Sequence, residues 1–320
     1  MDLHTLVAVL SASALVCTAC AFAQGPAKSF EEHHPDFRKI VPEGAAVEKV
    51  DTGFKFTEGP VWNASEGCLL FSDIPANIIY RWQPGNKSKV FRDPSGHSNG
   101  LTFDKQGRLI ACEHGDRRVS RTESDGTITV LAERYEGKLL NSPNDVVVKS
   151  DGSIYFTDPP YGLKKQKEAK ELDFQGVYRI SPDGKTLTLL VDDFDRPNGL
   201  AFSPDEKTLY IADSSKRKHI RAFGVKEDGT LANGRLFAEL IHDDRGVPDG
   251  MKVDVEGNVY STGPGGVWVI NPKGEVLGRI VTPEVPANCA WGDADWKTLY
   301  ITARTSVYRV KLGIQGIRVP

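Results

Sequence analysis

Residues 198–211 carry the pattern that decides the fold. They read Asn198-Gly199-Leu200-Ala201-Phe202, then the turn Ser203-Pro204-Asp205-Glu206 and, after two polar residues, the run Leu209-Tyr210-Ile211. The turn residues favour tight backbone reversal, and the β-branched and aromatic residues on either side favour strands. This stretch therefore predicts a β-hairpin whose first strand opens on a side chain that carries an oxygen.

The same unit recurs along the chain, with starts about 40 to 54 residues apart. Each start leads into a turn rich in Gly, Asp or Pro and then into a second apolar run. The six starts are Glu58-Gly59-Pro60-Val61-Trp62, Asn99-Gly100-Leu101-Thr102-Phe103, Asn144-Asp145-Val146-Val147-Val148, Asn198-Gly199-Leu200-Ala201-Phe202, Asp249-Gly250-Met251-Lys252-Val253 and Asn288-Cys289-Ala290-Trp291. Six units of about four strands predict an all-β, six-bladed β-propeller, whereas a β-sandwich would not repeat in this way.

One propeller domain accounts for residues 46–320, because no linker divides them. We expect residues 46–56 to supply an outer strand that closes the ring onto the last blade, and residues 24–45 to be irregular. The Lys-, Glu- and Ala-rich run at 164–171 predicts one or two helical turns in an enlarged loop of the third unit.

The N-terminus resembles a signal peptide. Residues 6–21 are apolar, and Ala21-Phe22-Ala23 has the small-x-small form of a cleavage site. We expect residues 1–23 to be removed after Ala23, which would place the mature protein in the periplasm or outside the cell. The segment before the apolar run has no Lys or Arg, so an uncleaved anchor is the alternative.

Composition excludes some functions. Charged residues are 26% of the chain and the net charge is -3, which gives no electrostatic case for binding nucleic acid. No segment after the signal approaches the length of a membrane span. Cys68, Cys112 and Cys289 remain in the mature chain; we expect a structural role for all three, with at most one disulfide.

The residue that opens each unit is the strongest functional signal. Innermost strands of a propeller line the central channel, so the six starts should converge at one end of it. All six side chains carry oxygen. If Asn and Asp were present only because they favour turns, they would have no reason to recur at the same position of every repeat. They predict a central metal site of hard oxygen ligands, with Glu58, Asn144, Asn198 and Asp249 binding one divalent cation. Ca²⁺ or Mg²⁺ suits such a set better than Zn²⁺, with Mn²⁺ a further alternative.

Further polar residues should border the same channel mouth. Second strands of the units end on Asp73, Glu113, Asp158 and Asp213, which we expect to be solvated acids or to orient ligands and substrate. His114 and Tyr161 are candidates for contact with the substrate. His97 and His242, in loops ahead of blade starts, are weaker candidates.

Four of these motifs resemble those of the senescence marker protein, gluconolactonase and luciferin-regenerating enzyme family, in the same order over residues 46–312. They are Glu58-Gly59-Pro60-Val61-Trp62, Ser142-Pro143-Asn144-Asp145, the run that begins at Arg196-Pro197-Asn198-Gly199, and Pro248-Asp249-Gly250-Met251. The loop at 156–163 looks most like the bacterial gluconolactonase branch. The resemblance implies one catalytic divalent ion, commonly calcium, on Glu58, Asn144, Asn198 and Asp249.

The resemblance also implies a hydrolase that opens a sugar lactone, with Asp249 as general base or nucleophile. Asn99, His114, Asp158, Tyr161 and Asn288 would then line the substrate pocket. Two alternatives stay open: hydrolysis of other lactones or organophosphate esters, and a non-catalytic periplasmic propeller with a structural ion. The sequence does not decide the oligomeric state.

Overall fold

A computed structural model describes residues 29–163 and 169–319. Before the first blade, the chain forms β1 (Phe30–Glu32), the short helix α1 (Phe37–Ile40) and β2 (Val47–Thr52). The remaining strands form six sheets in chain order, apart from one small hairpin. The predicted signal peptide, residues 1–23, and residues 164–168 of the expected helical turns lie outside the described residues.

Blades 1 to 3 follow one another along the chain. Blade 1 contains β3 (Thr57–Asn63), β4 (Cys68–Asp73), β5 (Ile78–Trp82) and β6 (Lys89–Arg92). Blade 2 contains β7 (Ser98–Phe103), β8 (Leu109–Glu113), β9 (Arg118–Thr122) and β10 (Ile128–Ala132), and it precedes the hairpin of β11 (Arg134–Tyr135) and β12 (Lys138–Leu139). Blade 3 contains β13 (Val146–Val148), β14 (Ile154–Asp158), β15 (Gln175–Ile180) and β16 (Leu187–Phe194).

Blades 4 to 6 complete the ring. Blade 4 contains β17 (Pro197–Phe202), β18 (Thr208–Asp213), β19 (His219–Val225) and β20 (Leu231–Glu239). Blade 5 contains β21 (Met251–Val253), β22 (Val259–Gly263), β23 (Gly266–Ile270) and β24 (Val276–Val281). Blade 6 contains β25 (Pro286–Gly292), β26 (Thr298–Ala303) and β27 (Ser306–Lys311). Neighbouring strands within every blade are antiparallel, which confirms the all-β, six-bladed architecture.

The ring closes by joining the two ends of the chain. Strand β2 pairs with β27 as the outermost strand of blade 6, so the outer strand expected within residues 46–56 is confirmed. The segment ahead of it differs from the expectation of irregular structure, because β1 adds a fifth strand to blade 5 by pairing with β24. Phe37 and Ile40 of α1 are buried in the core of blades 5 and 6.

Aromatic side chains fill the space between and within the blades. The Trp62 ring of blade 1 stacks on Tyr300 of blade 6 with centroids 5.4 Å apart, and Tyr155 of blade 3 meets Phe202 of blade 4 edge to face at 5.0 Å. Such pairs bury large apolar areas, which fixes the rotation between adjacent blades. The strand starts are thereby held at defined places around the channel.

The channel has two unlike ends. We call the end where the six strand starts lie the mouth, and the opposite end, covered by residues 312–319, the far end. At the far end Ile317 N–H donates to Val253 O (3.1 Å) and Gly316 N–H to Trp296 O (2.8 Å). Above this tail lies a mainly apolar cavity of about 140 Å³ whose lining includes Val61, Leu101, Val146, Ala201, Val253 and Ala290.

Cys68, Cys112 and Cys289 are free and buried in the blades, so none of them forms a disulfide. No helix in the described part of the chain is long and apolar enough to span a membrane.

Candidate functional site

The six strand starts form a ring of polar side chains at the mouth. Five are buried, with 2 to 4% of their surface exposed, whereas Asp249 is partly open to solvent: the buried five are Glu58, Asn99, Asn144, Asn198 and Asn288. In four blades the pairing of the first two strands shifts register beside the start residue. A bulge of this kind re-aims a side chain, which turns the polar group toward the channel axis.

Glycine after the start residue lets adjacent blades approach closely. At four of the six starts a β-carbon on the following glycine would overlap the start residue of the next blade. The separations would be 1.8 Å from Gly59 to Asn99 O, 2.6 Å from Gly100 to Asn144 O, 2.1 Å from Gly199 to Asp249 O and 1.9 Å from Gly250 to the Asn288 side chain. The Gly in these four motifs therefore sets how closely the adjacent blades approach at the ring.

Hydrogen bonds connect the ring side chains. Asn99 Nδ2 donates to Asn144 Oδ1 (2.8 Å), and Asn144 Nδ2 donates to Asn198 Oδ1 (2.6 Å). On the other side Asn288 Nδ2 donates to Glu58 Oε2 (3.0 Å). These bonds bring Glu58, Asn144 and Asn198, three of the proposed ligands, to the mouth. The fourth, Asp249, lies near enough to Glu58 for the charge of Glu58 to raise its pKa.

The acids of the ring are poorly compensated. Burial raises the pKa of Glu58 to about 7, and burial together with the charges of Glu58 and Asp145 holds the pKa of Asp249 well above its usual range. Asp145 adds a further carboxylate, which is buried; its Oδ2 has no hydrogen-bond partner among the described residues, and burial raises its pKa as well. None of the three forms a salt bridge within residues 29–163 and 169–319. The charge of Lys252 lowers the pKa of Glu58 and Asp145 only in part. Converging carboxylates and amides that form no salt bridge among the described residues fit a hard divalent cation.

Two of the acids that end the second strands, Asp73 and Asp213, bind backbone N–H groups. Asp73 accepts the N–H groups of Lys55 (2.9 Å) and Phe56 (3.1 Å), which lie three and two residues before Glu58. Asp213 accepts Arg196 N–H (3.2 Å) in the same way, ahead of Asn198. These carboxylates fasten the loops that carry the ring residues.

Asp158 and Glu113 are buried inside the protein and pair with protein groups. Asp158 is fully buried, and its Oδ2 accepts Asn141 N–H (2.7 Å), so it contacts the loop that carries Asn144. Burial raises the pKa of Asp158 to about 7. Glu113 is also fully buried and pairs with the guanidinium groups of Arg92 and Arg118. Asp158 therefore supports a loop of the ring, whereas Glu113 forms an ion-pair cluster with Arg118 of its own blade and Arg92 of blade 1.

His114 reaches the ring directly. Its Nε2 lies 3.2 Å from Asn144 Oδ1 and 3.3 Å from Asn99 Nδ2. Burial lowers the pKa of His114 to about 4, so the His114 imidazole is neutral at pH 7. His114 and Tyr161 line a cavity of about 450 Å³ beside the mouth, together with His97. His242 is not among the residues that line it; its Nδ1 accepts Asp244 N–H (3.1 Å).

Ser214 is a site residue that the sequence reasoning missed. Its hydroxyl accepts a hydrogen bond from Asn198 Nδ2 (2.7 Å) and donates to Pro248 O (2.5 Å), which ties Asn198 to the loop that carries Asp249. A signal was present, because Ser214 follows Asp213 just as His114 follows Glu113. The argument from repeat phase that selects His114 also selects Ser214.

The fold and the site define the class of this protein: an all-β, six-bladed propeller with a buried ring of oxygen-bearing side chains at one channel mouth. Within that class, the model of the SMP-30/Gluconolactonase/LRE-like region matches residues 56–305. The chain belongs to this family.

Individual relatives support this family assignment. A gluconolactonase of Zymomonas mobilis is 36% identical over 301 residues, which is 87% of this chain and 84% of the relative. A gluconolactonase of Xanthomonas campestris has a solved structure that matches with a TM-score of 0.82 and 37% identity, over 89% of this chain and 95% of that one. A further solved structure, of a putative gluconolactonase, gives a TM-score of 0.83 and 34% identity over 90% of this chain and 99% of that one.

Proposed function

We propose that this chain is a metal-dependent lactonase that opens the ring of a sugar-derived lactone at the mouth of the propeller. Carboxylic ester hydrolysis follows from family membership and from two relatives above 35% identity that are named gluconolactonases. The observation that carries the metal dependence is the ring itself, in which Glu58 and Asp249 share a small volume with two amide ligands and form no salt bridge within the described residues.

Glu58, Asn144, Asn198 and Asp249 would hold the cation, and Ca²⁺ suits these oxygen donors best. A bound divalent ion would polarise the lactone carbonyl and stabilise the negative charge that develops on its oxygen. The hydrogen bond from Asn144 Nδ2 to Asn198 Oδ1 and the contact between Asn198 and Ser214 pre-position the amides. Their orientation then need not be established during the reaction.

Asp249 is the proposed general base. It is the ring acid that remains partly open to solvent, so a water molecule can reach it, whereas Glu58 is buried. In this role Asp249 takes a proton from the water that attacks the carbonyl carbon. Direct nucleophilic attack by Asp249 is the other route, and single-turnover hydrolysis in ¹⁸O-labelled water separates the two. Label in the Asp249 carboxylate would support the covalent route, and its absence would support the general base.

The deciding experiment measures hydrolysis of D-glucono-1,5-lactone by the purified protein after chelation and after return of Ca²⁺, Mg²⁺, Mn²⁺ or Zn²⁺. We expect chelation to abolish turnover and one of these ions to restore it. An aromatic lactone and a phosphotriester, assayed in parallel, test the other ester substrates. Chelator-resistant turnover would overturn the metal dependence, and no turnover of any ester would favour a binding protein over an enzyme.

We further propose that the protein acts outside the cytoplasm, on the strength of the apolar segment and cleavage site that end at Ala23. Fractionation of cells that produce the full chain, with N-terminal sequencing of the product, tests this. A mature N-terminus at Gln24 in the extracytoplasmic fraction is expected, and uncleaved protein in the cytoplasm would contradict it.

A further inference from the structure

The cavity of about 450 Å³ beside the mouth has a mixed lining. Apolar side chains come from Ile74, Pro75 and Leu163, and polar side chains include His97, His114 and Tyr161. Such a mixture suits a ligand with C–H groups on one face and hydroxyl groups on the other. The question is which polar atoms remain free to bind it.

Two of the polar groups on this cavity are already engaged. His114 Nε2 contacts the ring amides of Asn99 and Asn144. Arg117 Nε donates to Leu140 O (2.7 Å) and Asn141 O (3.1 Å), so its guanidinium is directed at backbone. An arginine used in this way is poorly placed to bind an anionic substrate, and the wall favours a neutral one.

His97 is held in an unusual backbone conformation. Its φ is +52°, in the left-handed region that residues other than glycine rarely adopt. The Asn77 side chain secures it, because Asn77 Oδ1 accepts the N–H groups of His97 (2.6 Å) and Ser95 (3.1 Å). This conformation costs free energy, and the Asn77 side chain maintains it. Because strained backbone is common at functional sites, the His97 imidazole is a candidate for ligand binding.

The tautomer of His97 follows from one contact. Its Nδ1 lies 2.8 Å from Ile74 O, and a carbonyl oxygen can only accept, so Nδ1 carries the proton. In the neutral ring Nε2 is then a hydrogen-bond acceptor, and it has no partner among the described residues. A β-carbon on Gly115 would lie 2.7 Å from His97 Cδ2, so the absence of a side chain there leaves room for the ring.

We infer that His97 accepts a hydrogen bond from a hydroxyl group of the substrate, and that it thereby makes the site prefer neutral polyhydroxylated lactones to unsubstituted ones. This inference rests on the proposed lactonase function. It assigns His97 to specificity and leaves the chemical step with the ring. His242, also exposed and also ahead of a blade start, lacks this setting and serves as the matched control.

The test compares wild type, His97→Phe and His242→Phe on two substrates, D-glucono-1,5-lactone and δ-valerolactone, which has the same ring without hydroxyl groups. His97→Phe keeps an aromatic ring and removes both nitrogens. We expect kcat/KM for gluconolactone to fall about 3- to 10-fold, mainly through KM, as for loss of one neutral hydrogen bond. The value for δ-valerolactone should stay within about 2-fold, and His242→Phe should change neither.

A second variant, His97→Asn, guards against a fault in the loop, because Asn tolerates positive φ better than Phe but is too short to replace the imidazole. It should show the same selective loss, with an unchanged thermal unfolding midpoint. An equal loss on both substrates, or an unchanged ratio of the two, would overturn the role of His97 and leave the lactonase intact. A wild-type protein inactive on both lactones, with every metal supplied, would overturn the proposed function and this inference with it.

Discussion

The two ends of the central channel are built from the same six strands and differ in almost every property. At the mouth, a carboxylate or an amide lies close to the beginning of each innermost strand, and a glycine follows it in four of the six blades. A few residues further along, the same strands present side chains such as Val61, Leu101 and Val253 to an apolar cavity, which the chain's own C-terminal tail covers.

The comparison shows how one strand serves two purposes. Apolar residues in its middle fix the blades, and this rigidity allows the buried carboxylates of Glu58 and Asp145 and the partly exposed one of Asp249 to persist at the mouth. The mouth gathers carboxylates whose pKa values are raised, which is electrostatically unfavourable for their charged forms, whereas the far end is stabilised by apolar packing. We therefore expect mutations at the mouth to change activity more than stability, and mutations at the far end to do the reverse.

The largest effect is expected from Asp249→Asn. Removing the proposed base should lower kcat/KM for gluconolactone by about 10²- to 10⁴-fold. Thermal stability without metal should hold or rise, because one of several crowded buried charges is gone. Steady-state kinetics and thermal unfolding measure the two effects, with the exposed Asp243→Asn as control. Activity within a few-fold of wild type would remove Asp249 from the mechanism.

Gly199→Ala should affect both activity and stability, because its β-carbon would lie 2.1 Å from Asp249 O. Blades 4 and 5 must separate to admit the methyl group, at a cost of about 1 to 3 kcal/mol in the free energy of unfolding. We expect a loss of activity of at least about 10-fold from the displaced carboxylate.

The matched control is Gly224→Ala in the same blade, where the β-carbon would meet only Ala232 O at 3.6 Å. It should leave kcat/KM unchanged. Equal effects of the two substitutions in denaturant titrations and kinetics would mean that close blade contact does not set the geometry of the ring.

Leu312→Ala tests the far end. Leu312 is 2% exposed and its N–H donates to Lys297 O (2.8 Å), so truncation should lower the free energy of unfolding by about 2 to 4 kcal/mol. At temperatures where the variant is folded, kcat/KM should match the wild type. The control Leu236→Ala removes a side chain that is 53% exposed and should cost little. A large fall in kcat/KM for folded Leu312→Ala would show that the two ends are coupled.

The smallest effect is expected from Glu284→Gln, in the loop that leads to β25. Burial pushes the pKa of Glu284 up, but hydrogen bonds from Ser306, Thr305 and Tyr308 outweigh it and bring the pKa to about 2. A carboxylate whose pKa is depressed in the folded state stabilises the protein above its ordinary pKa of about 4.5, and this contribution is lost as pH falls toward 2.

Glu284→Gln should therefore destabilise the protein at pH 7, by at most about 3 kcal/mol, and much less at pH 3. Urea unfolding at both pH values, with the exposed Glu227→Gln as control, measures the difference. A penalty that does not depend on pH would indicate that shape rather than charge is what Glu284 contributes.

The repeat made the propeller and its ring predictable, because phase within a repeat determines which residue of each strand reaches the channel. The repeat predicts less well in which direction the other polar side chains point. Asp73 and Asp213 occupy the predicted positions, yet they turn back to bind backbone N–H groups of the preceding loops. No periodicity distinguishes an acid that faces the mouth from one that fastens a loop.

Short elements escaped prediction for a different reason. Strand β1 has three residues and exists because β24 offers an unpaired edge, so its cause lies about 250 residues away. Ser214 could have been predicted from the sequence, since it shares the repeat position of His114. The arrangement of His97 could not, because it depends on Asn77 and on the carbonyl of Ile74.

Closure of blade 6 has a consequence for the order of assembly. Its outer strand comes from residues 47–52 and its other three from residues 286–311, with Glu48 opposite Arg309. During synthesis β2 has no partner until nearly the whole chain has been made. The propeller therefore stays open while blades 1 to 5 can already form. A contact of such long range predicts slow final folding and a late, cooperative locking of the molecule.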